Sequence, residues 1–336
     1  MPIFEPKLTT AKCVTKHHKP ILTKDDIPYE ASLVFNAGVA KIKGQYVMVF
    51  RNDYGTTEEL YDTKDHFFKG TSIGVAVSDN GIDNWKVFDK PLCDYPFSKD
   101  GEIRRLYDPR ITVIDGVIYL CLAMDTKHGV RGAIAKLSDD FKSIEIISAS
   151  LPDNRNMVLF PEKIDGFFYR LERPFPSYTR SYFDMWCSKS PDLKFWGESE
   201  LVLDVENVPF ANEKIGPAAP PVKTDKGWLT VFHSVDTDVE NRGKNGWEPK
   251  WPKRYCAGIM LLDLKDPTKI VGISKVPLIA PELPFESEEG FRQNAIFPGG
   301  MILEDNGEVK IYYGSADTVE CVATANVDDL VNLCLE

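Results

Sequence analysis

Arg51, Arg155, Arg173, Lys214 and His233 are cationic or potentially cationic side chains, and each stands at the beginning or end of a short apolar strand. Asp53, Asp108, Asp125 and Asp317 occupy the same kind of position. The chain carries a formal net charge of −11, so cations gathered at one place describe a local site for a compact anion. Guanidinium forks match phosphate oxygens bidentately. Carboxylates beside ring-stacking aromatics such as Tyr107 and Tyr255 suit recognition of sugar hydroxyls and protonation of a departing glycosidic oxygen. Asn36, Arg110, Asn156 and Asn294 add hydrogen-bonding groups at equivalent strand ends. Any one of these residues could be turn chemistry alone, as in Asp-Pro or Glu-Arg-Pro. It is their common placement that points to a site.

The elements that must position them form a repeat. Residues 39–51, 111–122, 160–171, 219–233 and 301–313 each read as an alternating apolar strand, a tight turn and a more continuous apolar strand. The turns are centred on Gly44, Gly116, Gly166, Gly227 and Gly307; glycine accepts the positive φ that hairpin turns demand. Third strands are expected at 74–79, 133–139, 183–188, 258–263 and 322–326, and fourth strands at 85–88, 144–147, 201–203 and 270–273. Four strands in each of five repeats predict an all-β, five-bladed β-propeller; a β-sandwich would not need five equal hairpins. After Asn326 the chain reads as a helical turn, so the last blade lacks its outer strand. Lys19-Pro-Ile-Leu resembles the outer-strand text Lys90-Pro-Leu-Cys, and residues 14–22 are expected to pair into the final blade and remove its free edge. In a propeller the inner strands open on a central channel, so the polar strand ends share one funnel.

Composition bounds the rest. The chain has 336 residues, 43% hydrophobic and 27% charged, enough for one propeller domain spanning 1–336. Its acidity excludes a broad nucleic-acid surface. No basic stretch followed by an apolar run opens the chain, and no segment approaches the about 18 apolar residues of a membrane span. Seven widely spaced cysteines, mostly inside apolar runs, read as reduced core thiols, and a cytoplasmic location is expected. His17, His18, His66 and His128 show no metal-ligand spacing, and no glycine-rich phosphate loop, Ser/His/Asp arrangement or dinucleotide fingerprint is present, so neither metal nor cofactor is expected. Insertions at 52–69 and 236–254, the second with Trp247 and Trp251, break the rhythm and are expected to wall the site or join subunits of a homo-oligomer.

The segments Val34-Phe-Asn36, Tyr107-Asp-Pro-Arg110, Arg155-Asn-Met-Val-Leu-Phe-Pro161, Arg173-Pro174, Lys214-Ile-Gly-Pro217, Phe297-Pro298 and Tyr312-Tyr-Gly-Ser-Ala-Asp317, with Gly227-Trp-Leu and His233, together resemble glycoside hydrolase family 130, the β-mannoside phosphorylases. The resemblance runs through essentially the whole chain. It implies a five-bladed propeller, inversion at the anomeric carbon, and attack by inorganic phosphate to release α-mannose 1-phosphate. Asp108 would then be the general acid, acting through the mannose 3-hydroxyl. Arg155, Arg173, Lys214 and His233 would hold phosphate, with Tyr255 as an extra donor. Asn36, Arg51, Asp53 and Asp317 would bind sugar, and Tyr107, Arg110, Asn156 and Asn294 are taken as further substrate-binding positions. The expected partners are a small oligosaccharide, most readily a β-1,4-mannooligosaccharide, and phosphate as co-substrate. Two alternatives stand beside this. An inverting β-mannosidase would need a carboxylate base for water and no cation set, and a non-catalytic sugar-binding propeller would lack the acid.

Overall fold

Lys43-Gly44, Asp115-Gly116 and Asp165-Gly166 each have positive φ at both central residues, the turn geometry whose twist matches that of the flanking strands. The computed structural model describes residues 7–55, 68–97, 101–237 and 253–336, and in it each of these turns connects the first two strands of one of five antiparallel sheets.

β1 (Thr15–Lys16) belongs to the last sheet. The first blade is β2 (Leu33–Ile42), β3 (Gln45–Tyr54), β4 (Gly70–Ser78) and β5 (Lys86–Val87), with β6 (Cys93–Pro96) also on β4. The second is β7 (Ile103–Ile114), β8 (Val117–Thr126), β9 (Gly129–Leu137) and β10 (Ile144–Ala149). The third is β11 (Asn154–Leu159), β12 (Phe168–Pro174), β13 (Met185–Ser190) and β14 (Gly197–Leu203). The fourth is β15 (Lys214–Pro217), β16 (Val222–Lys223), β17 (Trp228–Thr237), β18 (Lys253–Leu262) and β19 (Ile270–Ile273). A short α1 (Pro284–Ser287) precedes the fifth, formed by β20 (Ile296–Leu303), β21 (Glu308–Ser315) and β22 (Val319–Asn326) and followed by α2 (Val327–Leu335). The five-bladed propeller expected from the repeat is the fold.

Closure uses the N-terminal segment. Thr15 and Lys16 pair with Thr324 and Ala323, and Leu22 bridges to Glu320. The pairing is discontinuous: Lys19 and Pro20 span the gap between the two stretches, and proline has no N–H to give a ladder. Two inner strands also differ from the expectation. β11 ends at Leu159, short of residues 160–163. The inner strand of blade four is split into β15 and β16, because Pro220 and Pro221 interrupt it.

Among the described residues, five apolar clusters lie between successive blades, such as Val49, Ile73, Leu106 and Leu120 between blades one and two and Leu22, Val39, Met48, Ile302 and Tyr312 between blades five and one. Each blade is therefore buried on both faces. That is why the second strands read as continuous apolar runs. Along the axis the inner strands come too close for side chains: a Cβ on Gly38 would stand 2.8 Å from the Pro109 carbonyl oxygen. No helix of the described residues is long and apolar enough to cross a membrane.

Candidate active site

The innermost strands β2, β7 and β11 break register between Phe35 and Gly38, Tyr107 and Arg110, and Arg155 and Val158, and β7 does so a second time between Ile103 and Arg105. In each of the first three bulges sits one residue in left-handed conformation: Asn36 (φ 53), Asp108 (φ 51) and Asn156 (φ 58). Asn and Asp tolerate that region better than other side chains, and a bulge re-aims a side chain out of the pleat. All three line one cavity of about 770 Å³. Arg51 and Asp53 reach it from β3, Arg173 from β12, Lys214 from β15, Tyr255 from β18 and Asp317 from the turn after β21.

On one side the carboxylates gather. Asp108 Oδ1 accepts from Asn36 Nδ2 at 3.0 Å and from Arg51 Nη1 at 3.2 Å. Burial pushes the Asp108 carboxyl up, but Arg51, Arg110, the Asn36 amide and Arg155 outweigh it and hold the group below the ordinary carboxylate range. Arg51 is itself gripped by Asp53, Nη2 to Oδ2 at 2.6 Å, and Asp53 takes a further bond from Thr71 Oγ1 at 2.7 Å. Asp317 accepts from Arg292 Nη1 at 2.9 Å. Its carboxyl is raised, by burial first and by the Asp108 charge, against the pull of Arg292 and Arg51. Two carboxyls of one cavity are thus pushed in opposite directions, a pattern typical of acid–base sites.

On the other side stand cations with too few counter-charges. Arg155 Nη1 donates to the Tyr107 hydroxyl at 2.9 Å, and that hydroxyl donates to Asp125 Oδ1 at 2.9 Å. Among the described residues, the buried Nε atoms of Arg155 and Arg173 have no hydrogen-bond partner. Burial and the neighbouring Arg155 pull Arg173 down to about 9. Burial lowers Lys214 to about 8, with Arg173 and Arg155 pushing the same way and Glu213 opposing. Unsatisfied buried cationic N–H groups and mutual repulsion are costly, and a bound dianion relieves both. The donor set of two guanidinium groups and an ammonium fits phosphate.

Several expected residues sit elsewhere than the sequence suggested. His233 is fully buried behind the wall, 3.0 Å from Arg173 Nη1 through Nε2. Burial and the charges of Arg173, Lys214 and Arg110 drive its pKa well down, so it is a neutral acceptor that orients Arg173, not one of the cations. Arg110 lies below the cavity, donating to backbone carbonyls. Asn294 supplies its carbonyl to the Tyr255 N–H at 2.8 Å, and its side chain is not in the wall. Asp125 also stands behind, paired with Arg105 at 2.6 Å. Tyr107 is in the wall, but the guanidinium groups of Arg105 and Arg51 lie 4.1 and 5.0 Å from its ring centre; the ring carries cations instead of offering an open stacking face.

Sequence reading missed Glu213, Lys253, Arg105 and Arg292, all in the wall. Arg105 could have been found two residues before Tyr107, on the same strand face, and Glu213 beside Lys214. Glu213 Oε1 binds Lys253 at 2.7 Å and Lys214 at 3.2 Å. Among the described residues no group of three or more His, Cys, Asp or Glu could hold a metal ion. Most of the insertions at 52–69 and 236–254, with Trp247 and Trp251, lies outside the described residues.

Comparison with known proteins follows the same lines. A "1,2-beta-oligomannan phosphorylase" from Thermoanaerobacter sp. (strain X514) is 31% identical over 327 residues, 93% of this chain and 96% of that one. A "Beta-1,4-mannooligosaccharide phosphorylase" from Ruminococcus albus is 30% identical over 324 residues, 93% of this chain and 88% of the other. The solved structure of β-1,2-mannobiose phosphorylase from Listeria innocua with β-1,2-mannobiose has the same fold, with a TM-score of 0.81 at 23% identity, covering 96% of this chain and 99% of that one. The model of glycoside hydrolase family 130, described as β-1,4-mannooligosaccharide phosphorylase, matches residues 10–336. The chain belongs to glycoside hydrolase family 130, the β-mannoside phosphorylases, and is a glycoside phosphorylase.

Proposed function

We propose that this enzyme carries out inverting phosphorolysis of β-1,4-mannooligosaccharides, giving α-mannose 1-phosphate and an acceptor shortened by one mannose. The observation that carries the reading is the cation set Arg155, Arg173 and Lys214 in the wall that also holds Asp108, with the buried Nε atoms of Arg155 and Arg173 unpartnered and the pKa values of Arg173 and Lys214 depressed. Phosphate held there is already nucleophilic and needs no base. A phosphate oxygen forms the bond to C1 as the bond from C1 to the glycosidic oxygen breaks. The Asp108 proton passes through the mannose 3-hydroxyl to the departing oxygen, and Asp108 recovers a proton from the phosphate it has just seen esterified or from solvent. Arg51, Asn36, Asp53 and Asp317 hold the mannose. The neighbouring anion offsets the field of Arg155, one of the groups that hold the Asp108 carboxyl low, and so shifts Asp108 toward the protonated form that it must donate from.

For the hydrolytic alternative, the carboxylate beside the cations is Glu213. It is pinned by Lys214, Lys253 and Thr237, and those lysines outweigh burial to hold its pKa low, which makes it a weak base for water. Support for the β-1,4 linkage comes from the family description and the Ruminococcus albus relative; the Thermoanaerobacter relative favours β-1,2 as a second reading. Incubation with β-1,4- and β-1,2-mannobiose, each with and without phosphate, tests both points. Mannose 1-phosphate from the β-1,4 substrate only when phosphate is present is the expected result. Free mannose at full rate without phosphate sinks the phosphorolytic reading, and preference for β-1,2-mannobiose overturns the linkage.

A further inference from the structure

We propose that Arg110 is a positioning residue that sets the Asn36–Asp108 pair by clamping together the two bulges that carry it, an inference resting on the reading of Asp108 as the acid. Arg110 Nη1 donates to the Asn36 carbonyl at 3.2 Å and to the Pro109 carbonyl at 2.8 Å. One nitrogen therefore bridges the bulge of β2 to that of β7. Above it the side chains of the same two bulges meet, Asn36 Nδ2 to Asp108 Oδ1 at 3.0 Å. The rest of the fork spans the axis: Nη2 donates to the Pro298 carbonyl at 3.2 Å, and Nε to that of Ala218. Four carbonyls from blades one, two, four and five are thus drawn to a single buried guanidinium. None of these bonds goes to a carboxylate, and Arg110 is not in the cavity wall.

The geometry requires arginine. A Cβ on Gly299 would collide with the Ala37 carbonyl and stand 3.2 Å from Arg110 Nη1, so the strands are already at closest approach around a flat group. A lysine ammonium carries the charge but lacks the planar array of donors. The left-handed backbone at Asn36 and Asp108 persists only where its surroundings over-determine it, and the carbonyls that Arg110 grips belong to Asn36 itself and to the residue after Asp108.

Arg110→Lys, Arg110→Gln and Asp108→Asn, with the double variant Asp108→Asn/Arg110→Lys, test the proposal on the full chain. Arg110→Lys should keep a cooperative melt and lose about 10- to 100-fold in kcat, the cost of a misplacement of about 1 Å, with the KM for phosphate within about threefold, since no bond of Arg110 reaches that half of the cavity. In the Asp108→Asn background the same change should cost less than about twofold, because two residues acting through one group are not additive. Arg110→Gln should also move the high-pH limb of kcat/KM upward, because a carboxyl that loses a positive neighbour holds its proton longer. The other groups facing Asp108 are constant across the series: Arg51, Arg155, Tyr107, Asp317 and Glu320. Wild-type kcat in Arg110→Lys beside an inactive Asp108→Asn overturns the clamp alone, as does an undiminished loss in the double variant. Full turnover in Asp108→Asn overturns the acid and the clamp with it. Should Arg110→Lys not fold, Glu320→Ala decides. Glu320 Oε2 accepts from the Ala37 N–H at 3.1 Å on the same β2 bulge; a lower kcat at unchanged phosphate KM supports the clamp, and an unchanged kcat overturns it.

Discussion

At the scale of single residues, charge explains more than hydrogen bonding. Asp108 sits among Arg51, Arg110 and Arg155, and their combined field defeats burial. Asp108→Asn removes the proton with little change in volume and should lower kcat by about 10²–10⁴-fold with mannoside KM nearly unchanged; steady-state kinetics checks it. Arg155→Ala or Arg173→Ala removes charge-assisted hydrogen bonds of about 1.5–3 kcal/mol each, so the KM for phosphate should rise about tenfold or more while that for the mannoside moves much less. Lys214 gives a pH signature. Its folded pKa is depressed to about 8, so the ammonium is present below that value and lost above it. The KM for phosphate should therefore climb above about pH 8 in wild type, and Lys214→Arg, charged throughout, should flatten that limb. A flat profile in wild type would remove Lys214 from the phosphate set. The polar identities of these residues were legible in the sequence. The neutrality of His233 was not, because it follows from burial and three nearby cations drawn from different blades.

At the scale of elements, the hairpins were readable because their turns are local: Lys43-Gly44 or Asp115-Gly116 needs only its own φ angles. The bulges were not, since a register break is a relation between strands, visible only as Phe35 to Gly38 against Arg51 to Val49. Without the bulge Asn36 and Asp108 would be ordinary inward residues of a pleated strand. The N-terminal closing segment belongs to this scale too. Lys16, nearly buried, binds Glu286 at 2.7 Å and the Ala280 carbonyl at 2.6 Å, and Glu286 also accepts from Tyr313 at 2.9 Å. Lys16→Met breaks a buried ion pair and should cost about 3–5 kcal/mol, somewhat less where the other donors to Glu286 remain. Chemical denaturation measures it, and a loss below about 1 kcal/mol would show that the segment is not fastened there. Deleting residues 1–23 should prevent recovery of a cooperatively melting enzyme, because β22 would be left as an open edge.

At the scale of the whole molecule, five inter-blade cores support a ring whose centre is electrostatically strained. Arg155 and Arg173 repel each other in a buried wall, a cost to the free protein that phosphate binding offsets. Phosphate at about 100 times its Kd should stabilise the fold by about 2.7 kcal/mol, seen as a rise in Tm of several degrees. Arg173→Met should abolish that rise and leave the phosphate-free protein as stable as wild type or more so, as happens when a site kept for function is relieved. A thermal melt with and without phosphate checks both halves, and an Arg173→Met protein that still gains the full shift would place the anion elsewhere.

What the sequence by itself determined is what depends on short-range pattern: five glycine-turned hairpins, hence five blades, and polar residues at the strand ends that open on the axis. Family membership was legible for the same reason, since its motifs are those strand ends read in order. The tertiary structure alone decided which of the strand-end residues face the cavity and which stand behind it. Arg110 and Asp108 are two positions apart, yet one grips carbonyls beneath the funnel and the other lines it. The left-handed backbone at Asp108 turns the chain between them, and that conformation is imposed by contacts with blades one, four and five, which lie far away in the chain.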